Sequence, residues 1–220
     1  MTYVHLIRHG TTDSNIYGRF QGSQDISLNE RGLRQAYYLG IRFKNIRLDT
    51  VFVSPLLRAR QTAACLCRYQ TCRAIICNDL REIDGGDLEG RTHAENEQKY
   101  PDEMYRMRVC PAYFQAPNGE TARQVYDRMR NAVTEIVKNY PNQMIAIVSH
   151  GFAIQTYLNF AKGLPFNKME RRIVGNTAVS KLVFDKNLRP AIEYWGDDSH
   201  LPQELKFYLA TNLSNNSQGA

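Results

Sequence analysis

The chain has 220 residues, 43% of them hydrophobic and 23% charged, with a formal net charge of +6. Those proportions exclude a disordered chain and suit one globular domain with a sizeable core. The longest apolar run, "MIAIV" at residues 144–148, falls far short of the roughly 18 residues of a membrane span, and "MTYVHLIRHG" lacks a signal-peptide pattern, so a soluble, cytoplasmic protein with no membrane partner is expected.

Strand and helix patterns alternate along the chain. "YVHLI" at 3–7 and "TVFV" at 50–53 are short, apolar, β-branched runs that predict buried strands, and "RAIIC" at 73–77 and "MIAIVS" at 144–149 repeat the pattern. Between the first two, "SLNERGLRQAYYLGIRF" sets Ser27 and Glu30 at capping-box spacing and places Leu33, Ala36, Gly40 and Phe43 on one stripe, which predicts a helix. "SPLLRARQTAACL" predicts the next, with Ser54 capping the free amides and Pro55 in the first turn. Residues 83–119 interrupt the alternation. Their "DGGDLEG", Pro101, Pro111 and Pro117 and several aromatics predict a surface excursion with at most short helices, of the kind that forms lids and binding loops.

The alternation resumes in "ETARQVYDRMRNAVTEIVKNYP", where Ala122, Val125, Met129, Val133, Ile136 and Tyr140 recur at helical spacing and Pro141 is the stop. After "MIAIVS", "FAIQTYLNFAKGLP" predicts a helix ending at Gly163 and Pro165, and "AVSKLVFD" returns to a strand pattern. The order is βαβαβ in character. It predicts an α/β fold of three layers, a mainly parallel central sheet with helices on both faces. Cys65, Cys67, Cys72, Cys77 and Cys110 form an odd set without a C-x-x-C pair, which predicts reduced thiols and neither disulfides nor a zinc site.

In a parallel sheet, function gathers at the carboxyl ends of the strands. "LIRHG" puts Arg8 and His9 at the end of the first strand, and "IVSHG" puts His150 and Gly151 at the end of a later one. "VFVSPLLR" adds Arg58 in the first turn of a helix leaving the same edge, where free amides already favour an anion. A single histidine at a strand end is more often structural. Three such motifs in the expected order point to a phosphate site.

These motifs resemble those of the histidine phosphatase superfamily, also called the phosphoglycerate mutase-like family. "RHGTTDSN" is similar to its opening signature, "FQGSQDISLNERGLRQA" to the segment after it, and "SPLLRARQTA" to its arginine helix. "LREIDGGDLEG" looks like its acid loop and "SHG" like its second histidine motif, so the likeness spans residues 4–180. The resemblance implies a phosphoglycerate mutase-like fold in a single domain over residues 1–211; the irregular insertion 83–119 is then expected as a lid over the active site, and the small polar residues of 212–220 as a disordered tail. It implies a metal-independent, cofactor-free phosphomonoester hydrolase acting on a small phosphorylated metabolite. His9 would be the transiently phosphorylated nucleophile, Arg8, Arg58 and His150 would grip the phosphoryl group, and Glu82 would donate the proton. Asn15, Gln21, Gly22 and the amide of Gly151 match phosphate-pocket positions, and Glu120 and Thr121 match a further pocket-edge motif.

Thr11, Ser14, Gly85 and Leu88 depart from the family pattern, which implies an altered rim and leaves the substrate open. The acid-loop wording and the short chain look more like the phosphatase branch than like cofactor-dependent mutases, whose phosphoryl transfer is the alternative.

The chemistry is coherent without the name. Phosphoryl transfer spreads charge over three equatorial oxygens, and arginines supply fixed forks for it. The same charges oppose protonation of His9 and so keep a ring nitrogen free to attack. A nucleic-acid-binding or phosphate-binding module without turnover is the competing class, but the basic residues are scattered and no nucleic-acid motif is present, so no nucleic-acid partner is expected. His5, His9, His93, His150 and His200 show no close ligand spacing, so no metal is expected either. Oligomeric state stays open, a homodimer among the options.

Overall fold

A computed structural model describes residues 1–206 of the chain; the end of the expected domain at 207–211 and the expected tail at 212–220 lie outside the described residues. Side-chain alternation along the strands divides its core in two. In β1 (Thr2–Arg8), Val4 and Leu6 enter one core and Ile7 the other; in β2 (Thr50–Val53), Phe52 opposes Val51 and Val53. This is the two-residue period of a pleated strand buried on both faces. Helices α2 (Glu30–Phe43) and α3 (Leu57–Cys67) pack together over one face and bury Leu39, Phe43, Ala59, Ala63 and Leu66 against it. The other face is covered by α6 (Ala122–Asn139) and α7 (Gly151–Ala161), which bury Val125, Met129, Val133, Ile154 and Leu158.

The remaining elements are α1 (Asp13–Ile16), β3 (Ala74–Ile76), α4 (His93–Lys99), α5 (Pro101–Val109), β4 (Met144–Ser149), β5 (Val179–Phe184) and β6 (Pro190–Asp197). The sheet has six strands in the order β3-β2-β4-β1-β5-β6. The first four are mutually parallel, and β5 and β6 run antiparallel to their neighbours. The expected three-layer α/β architecture is present, with an antiparallel margin that includes β6, a strand the motif pattern did not mark. The segment 83–119 holds α4 and α5, of 7 and 9 residues, the short helices expected there.

Three local expectations are corrected. β3 is not buried, because it is the sheet's edge, and Ile75 and Ile76 are 42% and 56% exposed. The cap of α2 is Asn29, whose side chain accepts from the Gly32 amide, and not Ser27; Leu33 points outward while Gln35 and Leu39 are buried. α3 starts only at Leu57, with no side-chain cap, so Ser54 and Pro55 lie before the helix.

Both cover helices on the α2 and α3 side grip the turn after β1. The Gly10 amide donates to Thr62 Oγ1 at 3.0 Å and the Thr11 amide to Gln35 Oε1 at 2.8 Å, while Asn29 donates its amide to the Thr11 carbonyl. The contact is close enough to need glycine on both sides. A Cβ on Gly32 would collide with the Thr11 carbonyl, and one on Gly10 would lie 2.7 Å from the Gly32 carbonyl oxygen.

Candidate active site

Parallel pairing brings three strand ends into one row. Arg8 of β1 lies opposite Ser149 of β4, and Val53 of β2 lies opposite Val148, so the residues that follow these strands, His9, His150 and Ser54, become neighbours. The His9 amide donates to the Ser149 carbonyl and the Ser54 amide to the Val148 carbonyl, each at 3.0 Å. The rings of His9 and His150 stand 5.1 Å apart between centroids. His150 precedes the first turn of α7, and Arg58 is the second residue of α3.

His9 is buried, and its Nδ1 lies 2.7 Å from the Gly10 carbonyl oxygen. A carbonyl only accepts, so Nδ1 carries the hydrogen and Nε2 keeps its lone pair. Burial, and then the charges of Arg58 and Arg8, push the His9 pKa well below the ordinary imidazole range. The ring is therefore neutral at physiological pH. Burial and the charge of Arg58 lower His150 in the same way; its Nε2 meets Ser54 Oγ at 2.7 Å, while its Nδ1 is buried with no hydrogen-bond partner.

The two arginines are held by backbone carbonyls. Arg8 Nη1 donates to Val174 at 2.8 Å, and Arg58 donates through Nη1 to Gln24 at 2.7 Å and through Nη2 to Gly22 at 2.8 Å. Burial lowers both guanidinium pKa values to about 10, against a partial restoring effect of the Glu82 charge, so both remain cations at neutral pH. The Nε of each is also buried without a partner. An unpaired buried donor costs about 1–3 kcal/mol, and more when charged, so such donors rarely persist without a purpose. Here Arg8 Nε, Arg58 Nε and His150 Nδ1 all belong to side chains around His9. Together they make a pocket suited to an oxyanion.

Glu82 lines the same cleft, at the head of α7. Its carboxylate accepts from the amides of Phe152, Ala153 and Ile83, all at 3.0 Å, and its own carbonyl accepts from Arg128 Nη2. Two of those three amides belong to the first turn of α7, the end that favours negative charge.

Arg8, His9, Asn15, Gln21, Gly22, Glu82 and Gly151 line one cleft of about 110 Å³; Arg58 and His150 lie fully buried beside His9. Asn15 is fixed through its Oδ1 by the Thr12 amide at 3.1 Å, and Gln21 through its Oε1 by Thr12 Oγ1 at 2.8 Å. Gly22 has φ +52, and a Cβ there would collide with the Glu89 carboxylate, so its carbonyl reaches Arg58 only because the residue is glycine.

Two further residues expected at the pocket edge are elsewhere. Glu120 accepts from Arg81 Nη2, from Arg128 Nε and Nη2 and from the Asp84 amide, and Thr121 caps α6; neither lines the cleft. Of the positions read as an altered rim, Thr11, Ser14, Gly85 and Leu88, none lines the cleft itself and Thr11 and Leu88 are fully buried; only Gly85 bears on the rim, because a side chain there would collide with the Phe20 ring. The rim is formed instead by Arg19, Phe20, Ile83, His93, Met107, Gln155, Arg171 and Ile173, with Phe152. Phe152 and Gln155 come from α7; the others come from irregular segments and short helices, where no periodic pattern marks them. Among the described residues no three His, Cys, Asp or Glu side chains group as metal ligands, and no helix is long and apolar enough to cross a membrane.

Residues 4–198 match the histidine phosphatase superfamily, branch 1, and the chain belongs to that superfamily. It is 34% identical over 206 residues to PhoE of Bacillus subtilis, described as an uncharacterized phosphatase, a match covering 94% of this chain and 100% of that one. It is 32% identical over 209 residues to GpmB of Erwinia tasmaniensis, a probable phosphoglycerate mutase, covering 91% and 95%. The solved structure of Bacillus stearothermophilus YhfR superposes with a TM-score of 0.86 at 30% identity, over 91% of this chain and 99% of that one.

Proposed function

We propose that this protein is a metal-independent phosphatase that hydrolyses small phosphomonoesters through a phosphohistidine on His9 Nε2. Membership of the histidine phosphatase superfamily and the likeness to PhoE support phosphatase activity. The observation that carries the residue roles is the pair of buried, unpartnered arginine donors, Arg8 Nε and Arg58 Nε, with the unpartnered His150 Nδ1, around a neutral histidine whose own Nδ1 is already engaged.

In the first step the Nε2 lone pair attacks phosphorus in line. The substrate monoanion hands its proton to the Glu82 carboxylate on binding, and as the bond from phosphorus to the leaving oxygen breaks that oxygen takes the same proton from Glu82. Arg8, Arg58 and His150 donate to the equatorial oxygens, which is where charge accumulates. In the second step water gives a proton to the Glu82 carboxylate as its oxygen attacks phosphorus. The nitrogen–phosphorus bond breaks, its electron pair returns to Nε2, and phosphate departs. The amides of Phe152 and Ala153 keep Glu82 aimed through both steps.

The cleft suits a small substrate with a short apolar part, given Phe20, Ile83, Phe152 and Met107, and Arg19 and Arg171 favour further negative charge on it. Residues 83–119, which bring Ile83, His93 and Met107 to the cleft, act as its lid. Five free thiols suit a reducing, cytoplasmic setting. The likeness to a probable phosphoglycerate mutase favours a second reading, in which the phosphohistidine passes its phosphoryl group to a substrate hydroxyl instead of to water.

One experiment tests both. Radiolabelled phosphomonoesters, with phosphoglycerate and a bisphosphoglycerate primer among them, are quenched rapidly in acid and in base and the products separated. An acid-labile protein adduct followed by free phosphate is expected, and His9→Ala loses adduct and turnover together. Isomerised phosphoglycerate in place of phosphate would select the mutase reading, and turnover by His9→Ala would overturn both.

A further inference from the structure

His9 and His150 are both buried and lie in the same field of arginine charge, yet the proposed reaction asks opposite things of them. His9 has to show the phosphorus a bare nitrogen. His150 has to show the phosphoryl oxygens an N–H. Neutral imidazole has one of each, so the partner on the far side of each ring decides which nitrogen faces the substrate.

For His9 that partner is the Gly10 carbonyl, which leaves no choice. For His150 it is the hydroxyl of Ser54, which can donate or accept. The second hydrogen bond of Ser54 settles the matter. Its Oγ accepts from the Leu56 amide at 3.3 Å, and no other acceptor in the described chain takes its hydrogen. Ser54 is fully buried, so the hydrogen cannot turn to water. If His150 Nε2 carried a hydrogen and donated to Oγ, the Ser54 O–H would be stranded in the core. The bare Nδ1 of His150 would then face an anion. If Ser54 donates to Nε2, the hydroxyl is satisfied and the ring's hydrogen sits on Nδ1, the atom that has no partner inside the protein.

We propose that Ser54 is a positioning residue whose hydroxyl donates to His150 Nε2 and thereby makes His150 Nδ1–H a donor to the phosphoryl group. This rests on the phosphoryl site proposed above. Ser54 does not line the cleft and acts only through His150. Its freedom to do so comes from α3 starting at Leu57, which relieves Ser54 of the capping duty its sequence position suggests.

The test begins with the wild-type protein. Imidazole ¹⁵N spectra, with the His150 signals assigned against His150→Gln, should show Nδ1 protonated and Nε2 bare, while His9 shows the same tautomer. Ser54→Ala and Ser54→Thr are then compared for thermal midpoint, for binding of inorganic phosphate and for kcat/KM on nitrophenyl phosphate. Ser54→Ala should lose about 10–100-fold in phosphate affinity and kcat/KM, by analogy with the loss when the orienting partner of a metal-bound histidine is removed, and its His150 signals should leave the Nδ1–H pattern. Ser54→Thr, which keeps the hydroxyl, should restore both. A wild-type spectrum with His150 Nε2 protonated overturns the proposal, as does a folded Ser54→Ala that binds phosphate like wild type. Because spectra and phosphate binding need no turnover, failure here is distinct from failure of the phosphohistidine route.

Discussion

Glu120→Gln separates a structural clamp from a catalytic acid. The Glu120 carboxylate receives four hydrogen bonds at 2.9–3.0 Å, and its side chain is 13% exposed beside an Arg128 that is 9% exposed. Arg128 in turn donates to the carbonyls of Asp79, Arg81 and Glu82, which fixes the backbone that carries Glu82. The amide keeps the shape and removes the charge. A buried pair robbed of one charge typically loses roughly 3–5 kcal/mol, whereas an exposed pair is worth about 1 kcal/mol or less. Arg81 is 36% exposed, so its share is screened and the loss should come mainly from Arg128. About 3 kcal/mol is expected, which for a domain of this size lowers the thermal midpoint by roughly 6–12 °C. Burial works against ionisation of Glu120, but the hydrogen bonds and charge of Arg128 prevail and hold its carboxyl below the ordinary value of 4.5. A depressed folded-state pKa stabilises above the unfolded value and loses that effect as pH falls through the folded one, so the gap between wild type and variant should close below about pH 4.5. In turnover, Glu120→Gln should slow alkyl and nitrophenyl phosphates by one common factor. Glu82→Gln should instead lose about 10²–10⁴-fold on alkyl phosphates and spare adduct formation from nitrophenyl phosphate, whose leaving group needs no proton. A Glu120→Gln protein with the wild-type midpoint and a selective loss on alkyl phosphates would refute the clamp.

Other outcomes follow from burial and contact. Burial depresses the pKa values of His5, His9, His150 and His200, those of His5 and His200 to about 4, so the unfolded chain takes up these protons near pH 6.5 while the folded chain does not. Stability should therefore fall by about 2 kcal/mol per fully shifted ring at about pH 5, and denaturant titrations that give the same stability at about pH 7.5 and about pH 5 would contradict neutral burial. Gly32→Ala drives a methyl into the Thr11 carbonyl on the turn that carries His9. It should cost about 1–3 kcal/mol and lower kcat/KM with it; wild-type values of both would show that the helix and the turn are not coupled. Turnover should survive exhaustive chelation, because Arg8 and Arg58 bring the charge a metal would otherwise supply, and activity restored by one particular metal would show the site to be misread.

The parallel centre of the sheet was legible because β2 and β4 are largely continuous apolar runs and the apolar run of β1 is broken only by His5, the pattern of strands covered on both faces. β6 was not, since its half-exposed residues alternate without a strong apolar face and its hairpin return from β5 needs no crossover helix. β3 reads like the central strands in composition, and only its place at the sheet edge makes it exposed. The misplaced helix starts share a cause. Ser27 and Ser54 have the chemistry of caps, but which hydroxyl meets a free amide depends on where the chain enters the helix, and at α2 the entry puts Asn29 there instead.

The candidate site divides along the same line. Arg8, His9, Arg58 and His150 were legible because each ends a strand or lies shortly after one, and those strands must end at the same edge once they are parallel. What tunes them was not, because it comes from residues far off in the chain: Ser54 meets His150 across 96 positions, and Arg128 reaches the Glu82 carbonyl across 46. Such partners carry no motif of their own, since a hydroxyl or a guanidinium can orient a neighbour from any element that happens to pack beside it. Glu120 shows the reverse error. Its motif position suggested the pocket, but two arginines, Arg81 and Arg128, take its carboxylate before it can reach the cleft. A Ser54→Ala chain would keep every residue assigned to the phosphoryl group and still present His150 to it wrongly. On the proposed mechanism the motifs mark which groups gather at the cleft, and the tautomer and aim of those groups are set one hydrogen bond further back.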